Sequence, residues 1–314
     1  MHNTFYYLVP NDYDNIDNLK NEYFIIKELM NNNFTVIPIY SFREVDRDAD
    51  GLIFNSLKAI LNNKKILIYA KKYKLPVFWW YFDTAKTKFT RKRRVIKIAK
   101  QVSIFFNKDQ DLFSDYIKSG INPVWLDQGV PSLCKFSQIK KYKYDVSFFG
   151  NYEKSHLSRS KLLKEIDNEF NLVIYTNDEK KFLSKGFNNV ESFVPINIIS
   201  KKIAKINLIL NGNYNSAYCW SNRIHLIIGS GGFSLVEDLE GLKNEYTHNQ
   251  HCIYFNNKKD LIEKINFWLL NSNSNNREKI RKNGYNYAHN QKSYKIKTNL
   301  FIKITTNFIN NNHG

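Results

Sequence analysis

Short, almost wholly apolar runs recur along the first part of the chain: TFYYLVP (4–10), FTVIPIY (34–40), GLIFN (51–55), PVFWWYF (76–82) and VSIFFN (102–107). Runs of this length with so few polar interruptions predict strands buried on both faces. The stretches between them keep helical spacing. Ile16, Leu19, Tyr23, Ile26 and Met30 mark one face of a helix, with Asp14 or Asn15 placed to cap it. Leu57–Tyr73 predicts the next helix, and Asp109–Lys118 another, with Gly120 just past its end. Strand, helix and strand in this rhythm mean parallel pairing through crossover helices, hence a doubly wound sheet.

Residues 132–144 (SLCKFSQIKKYKY) lose the apolar period and gain lysines, which reads as a linker. The strand pattern then restarts with DVSFFGN (145–151), a helix over 155–166 that Ser155 is placed to cap, NLVIYT (171–176), a short helix near 178–185, VESFV (190–194), a helix beginning near Pro195, and INLILN (206–211). Trp220, Ile224, Ile227 and Ile228 form the apolar stripe of a helix ending near Gly229. Ser230, Gly231 and Gly232 follow as a tight turn, and Phe233–Val236 as a short strand. HCIYFN (251–256) and helices near 258–270, 277–289 and 291–311 complete the chain. The pattern divides into a domain over 1–134, a linker over 135–144, a second domain over 145–290 and a last helix over 291–314.

A length of 314 residues suits two cores, and 43% hydrophobic with 15% aromatic residues fills them. No apolar run approaches the ~20 residues of a membrane span, and the first residues lack the flank and cleavage pattern of a secretory signal. Cys134, Cys219 and Cys252 are too scattered for a disulfide framework or a zinc site, which points to a reducing cytoplasm. The net charge of +18 attracts polyanions such as nucleotide diphosphates, anionic membrane or nucleic acid. A chain crowded with Lys, Asn, Ile, Tyr and Phe, as an AT-rich genome produces, accounts for the excess equally well.

Chemistry concentrates at turns. Gly150 and Asn151 end a strand, and Arg159 stands in the helix that follows, an arrangement that suits an anion because backbone N–H groups and the helix dipole converge on it. Asn222, Arg223 and His225 lie beside the bare Ser230, Gly231 and Gly232 turn, with Glu237, Asp238 and Glu240 after the next strand. Each has a plain alternative: a glycine cluster makes tight loops, a helical histidine packs, and loop acids are solvated. Asp83 and Thr84 follow a strand, where open parallel sheets bind ligands, although a helix cap would look the same. Lys86, Lys88, Arg91, Lys92, Arg93 and Arg94 form the densest basic run, a candidate grip on nucleic acid or lipid headgroups or simply a solvated helix face.

Taken in order, INLILN, the stretch from Tyr218 to Tyr246, HCIYFN and DLIEKINFWL (260–269) resemble the C-terminal half of glycosyltransferases of the two-domain GT-B fold. More narrowly they are similar to group 1 proteins related to the spore-maturation protein CgeB, over about 140–295. The resemblance implies two Rossmann-like doubly wound α/β domains facing a cleft, with the C-terminal helix crossing back to the first. It implies a nucleotide-diphosphate sugar donor, UDP-linked, bound by Gly150, Asn151, Arg159, Asn222, Arg223, Ser230, Gly231, Gly232, Glu237 and Glu240. The loops near Asn151 and Ser230 are then expected to meet and cradle the diphosphate together. Asp83 and His225 are the catalytic candidates, and the acceptor is a glycan, lipid-linked sugar or protein hydroxyl.

No metal and no cofactor beyond the donor is expected, since the DRDAD run (46–50) sits in a first-domain loop and no DxD ends a strand. One departure stands out: where many relatives carry an acidic pair, this chain has Tyr218 and Leu226. A phage-type transferase acting on DNA bases and a decayed nucleotide-binding protein are the rival readings. A dinucleotide oxidoreductase is disfavoured, because no GxGxxG follows the first strand.

Overall fold

A computed structural model describes residues 4–10, 20–45, 49–86, 89–152, 157–211 and 216–313. The chain divides into two units, residues 1–129 with 294–314, and residues 130–293. The expected caps Asp14, Asn15 and Ser155, the apolar positions Ile16 and Leu19, Lys88, and the first three residues of the DRDAD run lie outside the described residues.

The first unit runs β1 (Thr4–Leu8), α1 (Asn21–Asn31), β2 (Thr35–Ile39), β3 (Gly51–Phe54), α2 (Leu57–Asn62), α3 (Lys65–Lys72), β4 (Val77–Tyr81), α4 (Phe89–Ala99), β5 (Ile104–Asn107), α5 (Phe113–Lys118) and β6 (Pro123–Trp125). Its sheet is parallel, in the order β2-β1-β3-β4-β5-β6. The period-2 geometry of a strand explains the solid apolar run of β4. Val77, Trp79 and Tyr81 pack under α2 to α5, whereas Phe78 and Trp80 meet the C-terminal helix Tyr294–His313. There Phe301 stacks on Trp80 at 5.3 Å, and Tyr294 stacks on Phe24 and donates to Asn21 Oδ1 at 2.6 Å.

The single helix expected over Leu57–Tyr73 is two. The Asn63 side chain donates to Ala59 O and Tyr40 O, closing α2, and α3 starts afresh at Lys65. An amide side chain bonding to nearby carbonyls competes with the helix ladder, which the apolar spacing alone does not reveal.

The second unit contains β7 (Val146–Phe149), α6 (Leu157–Glu169), β8 (Leu172–Thr176), α7 (Glu179–Leu183), β9 (Val190–Ser192), α8 (Ile199–Lys202), β10 (Ile206–Ile209), α9 (Arg223–Gly229), β11 (Ser234–Glu237), α10 (Glu240–Lys243), β12 (Ile253–Phe255), α11 (Lys258–Leu269) and α12 (Ser274–Gln291). Its parallel sheet has the order β12-β11-β10-β7-β8-β9, so strand order reverses between β7 and β10. One face packs on α9 and α12, the other on α6 and α11. A buried Asn207 in mid-β10 ties three strands: it accepts from Ser147 Oγ at 2.7 Å and donates to Phe233 O at 2.9 Å. Residues 132–144 form no helix or strand.

Candidate functional site

In an open parallel sheet the crevice for a ligand lies beyond the carboxyl ends of the strands, where their order reverses. In the second unit that place is the end of β7 and β10. β7 closes on Gly150, whose N–H donates to Tyr175 O at 2.9 Å. Asn151 Oδ1 accepts from Asn177 N at 3.1 Å, and Tyr152 N donates to Asp178 Oδ2 at 3.1 Å, so the turn is pinned to the end of β8.

Arg223, the first residue of α9, reaches into this turn. Its Nη1 donates to Phe149 O at 3.1 Å and its Nε to Ser221 Oγ at 2.8 Å. A Cβ on Gly150 would lie 2.4 Å from that guanidinium, so glycine lets the charge rest against bare backbone in this position. Arg159 arrives from α6 and donates to Asn151 O at 2.9 Å. The two guanidinium carbons stand 5.4 Å and 5.0 Å from the centre of the same ring, Phe148.

Glu237 ends β11 and accepts the Asn211 N–H at 2.7 Å, while Asn211 Oδ1 accepts Ser221 N at 3.0 Å. Burial lifts the Glu237 carboxyl above the ordinary carboxylate range, against the pull of the Asn211 amide, Arg159 and Arg223. The locality is therefore cationic: two full positive charges face one acid that ionises reluctantly. Among the described residues, two buried polar atoms here, Asn211 Nδ2 and Asn222 Oδ1, have no hydrogen-bond partner, and buried groups of this kind take one from water or a ligand. Asn211 and Ser221 are the contributors that the sequence reading passed over. The signal for Asn211 was its place at the end of a switch-point strand.

Of the expected site residues, Gly150, Asn151, Arg159, Asn222, Arg223 and Glu237 thus gather on one rim. Glu240 lies one helix start further on, exposed, accepting from Tyr218 Oη at 2.9 Å. The Ser230, Gly231 and Gly232 turn stands at the opposite rim, which corrects the expectation that it meets Asn151. The turn joins the end of α9 to the start of β11, and in a parallel sheet every helix-to-strand turn falls at the amino ends. Its glycines serve packing. Gly231 has φ +74 and a Cβ there would lie 2.6 Å from Phe136, while a Gly232 Cβ would meet Ile227 at 2.6 Å. Arg281 Nε donates to Gly231 O at 2.6 Å and Ser230 is fully buried.

His225 is also fully buried, with Nδ1 2.9 Å from Tyr246 Oη among the packed residues of α9. In the first unit, Asp83 is exposed at the end of β4, and its Oδ2 accepts from Arg91 Nη2 at 2.6 Å. Cys134 and Cys252 are buried thiols whose pKa burial pushes up to about 12, so neither is an available nucleophile. Among the described residues no helix is long and apolar enough to cross a membrane.

Comparison with known proteins fits this picture. The sequence model of a family described as "glycosyl transferase-like" matches residues 159–300. No curated protein matches significantly. Among solved structures, a mutant of T4 phage BGT in complex with UDP-glucose is 17% identical, with 96% of this chain and 98% of that one aligned at a TM-score of 0.66. The DNA-modifying enzyme β-glucosyltransferase, solved with and without uridine diphosphoglucose, is 17% identical over 96% and 99%, with a TM-score of 0.67. HepE of Anabaena, solved with UDP and glucose, is 10% identical over 97% and 99%, with a TM-score of 0.68. The fold is therefore α/β of the GT-B type, two six-stranded parallel sheets flanked by helices.

Proposed function

We propose that the protein is a glycosyltransferase that uses a UDP-linked sugar, and that the rim formed by Gly150, Asn151, Arg159, Asn222 and Arg223 holds the donor's diphosphate. The observation that carries the reading is the pair of guanidiniums set against one ring and bare glycine backbone at the strand-order switch point. Two like charges set against one ring favour an anion between them, and a diphosphate there would make charge-assisted hydrogen bonds to both. The same cations stabilise the charge that develops on the leaving UDP as the bond between its β-phosphate oxygen and the sugar breaks. The UDP-bound states of the phage and Anabaena proteins support the choice of nucleotide.

The acceptor in this reading is a hydroxyl of a glycan, a lipid-linked sugar or a protein. Its oxygen attacks the anomeric carbon and gives up its proton, and for an inverting course Asp83 is the candidate base. A DNA base as acceptor is the second reading, favoured by the likeness to the DNA-modifying β-glucosyltransferase. A thermal-shift screen of nucleotides, followed by donor turnover with glycan and duplex acceptors in the presence of Mn2+ or EDTA, tests all of this. UDP raises the melting temperature by mass action, and UDP-sugar is consumed. UDP binding with no turnover of any UDP-sugar would identify a decayed binding protein instead, and no response to any nucleotide would end the donor reading.

A further inference from the structure

The positive charge of this chain is concentrated. Residues 56–108 hold fifteen Lys and Arg against a single acid, Asp83, within a chain whose net charge is +18. The structure redistributes the basic run around Arg91. Lys86 pairs with Asp111 at 2.8 Å, Arg91 with Asp83 at 2.6 Å and Lys92 with Asp115 at 2.5 Å, so these three are engaged within the fold. Among the described residues of 56–108, most cations that face solvent lie along two helices instead. Arg93, Arg94 and Lys97 are exposed on α4, with Lys100 just beyond it. Lys64, Lys65, Lys71, Lys72 and Lys74 are exposed on and beside α3. Both helices cover the same face of the sheet, sharing one core beneath them.

Two large apolar side chains project from this basic layer: Ile68 is 68% exposed and Phe89 is 72% exposed. A groove of about 810 Å³ opens at the carboxyl ends of the same two helices. Lys71, Lys74 and Lys100 rim it, and Leu75, Val102 and Phe308 contribute its apolar lining.

We propose that this α3–α4 layer docks on an anionic lipid bilayer, the lysines and arginines lying at the headgroups while Ile68 and Phe89 enter the boundary below them. The combination of residue types selects the partner. An anionic leaflet attracts clustered Lys and Arg and accepts apolar side chains beneath the charge. A duplex presents phosphates to the cations and leaves projecting Ile and an apolar-lined groove without a counterpart. The proposal rests on this surface alone and is independent of the donor site.

Sedimentation with vesicles of phosphatidylcholine, with and without phosphatidylglycerol, tests it on the full-length protein. The wild type co-sediments only with phosphatidylglycerol present and is released by salt. Combined Lys71→Glu, Lys74→Glu and Lys100→Glu substitutions lower the partition by about tenfold or more. Ile68→Ser, at an exposed site, lowers it by a smaller factor of about three and leaves the salt dependence as it was. Stabilisation by UDP, followed on the same variants, stays at the wild-type value, which separates failure of this surface from failure of the donor reading. Equal sedimentation with neutral vesicles, or none at low salt, overturns the proposal. So does salt-sensitive retention on a short DNA duplex by a protein that ignores vesicles, which would make nucleic acid the partner.

Discussion

At the carboxyl ends of β7, β10 and β11 the second sheet presents Arg159, Arg223, Asn211 and Asn222, with two buried polar atoms left unmatched among the described residues. At the amino ends of β11 and β12 the turn is packed by nearby segments of the same unit: Phe136 lies against Gly231, Val130 against Gly229, and His289 Nε2 donates to Gly229 O at 2.9 Å. The helix α9 spans both rims, with Arg223 at one end and Gly229 at the other. Glycine serves both places, yet for different ends. Gly150 makes room for the Arg223 charge proposed to hold the diphosphate, whereas Gly229, Gly231 and Gly232 make room for the protein itself.

That contrast can be broken by substitution, starting where the effect is largest. Arg223→Ala removes charge-assisted contacts to the diphosphate and weakens UDP binding by about 2 to 3 kcal/mol, roughly 30- to 150-fold in Kd, with little change in the denaturation midpoint. Gly231→Ala does the converse. A side chain at φ +74 against Phe136 costs about 2 kcal/mol of stability in a urea melt, while the folded fraction keeps its UDP affinity. Asn211→Asp replaces an unmatched donor with a second carboxylate beside Glu237, and calorimetry should show UDP binding weakened by about tenfold.

Acidification probes the amino side with the smallest effect. His248 and His251 accept the N–H groups of Tyr254 and Thr247 through Nδ1 at 3.0 Å each. Burial first, and then neighbouring lysines, hold both below the ordinary histidine pKa, and burial lowers His289 likewise. The unfolded chain therefore takes up these protons first. Stability declines as pH falls through about 6.5 towards the lowered folded values, and then levels off. Melting temperatures recorded across that range check the sign, since a rise on acidification contradicts it.

The strands were legible because each is a short apolar run, and Trp79 and Trp80 on successive positions already announced a strand covered on both faces. The break between α2 and α3 was not, because Ala59, Ile66 and Ala70 keep helical spacing across it while one Asn63 side chain ends the first helix. Gly150 and Arg159 follow from local rules, as a strand end and a following helix, whereas the helix expected to include Trp220 starts only at Arg223, with Trp220 buried in the loop before it. Composition alone makes the Ser230 to Gly232 turn look like part of the ligand site, although its position after a helix and before a strand puts it on the far rim. Asn211 escaped notice because its role depends on Glu237, 26 residues away, and on Ser221. His225 shares a helix with Arg223 but turns into the core towards Tyr246.

The most direct measurement is a calorimetric titration of UDP into the wild type, Arg223→Ala and Gly231→Ala under conditions where all three are folded. Heat of binding should vanish or weaken severely in Arg223→Ala and match the wild type within about twofold in Gly231→Ala. Full affinity in Arg223→Ala, or its loss in folded Gly231→Ala, would place the nucleotide on the other rim and contradict the account.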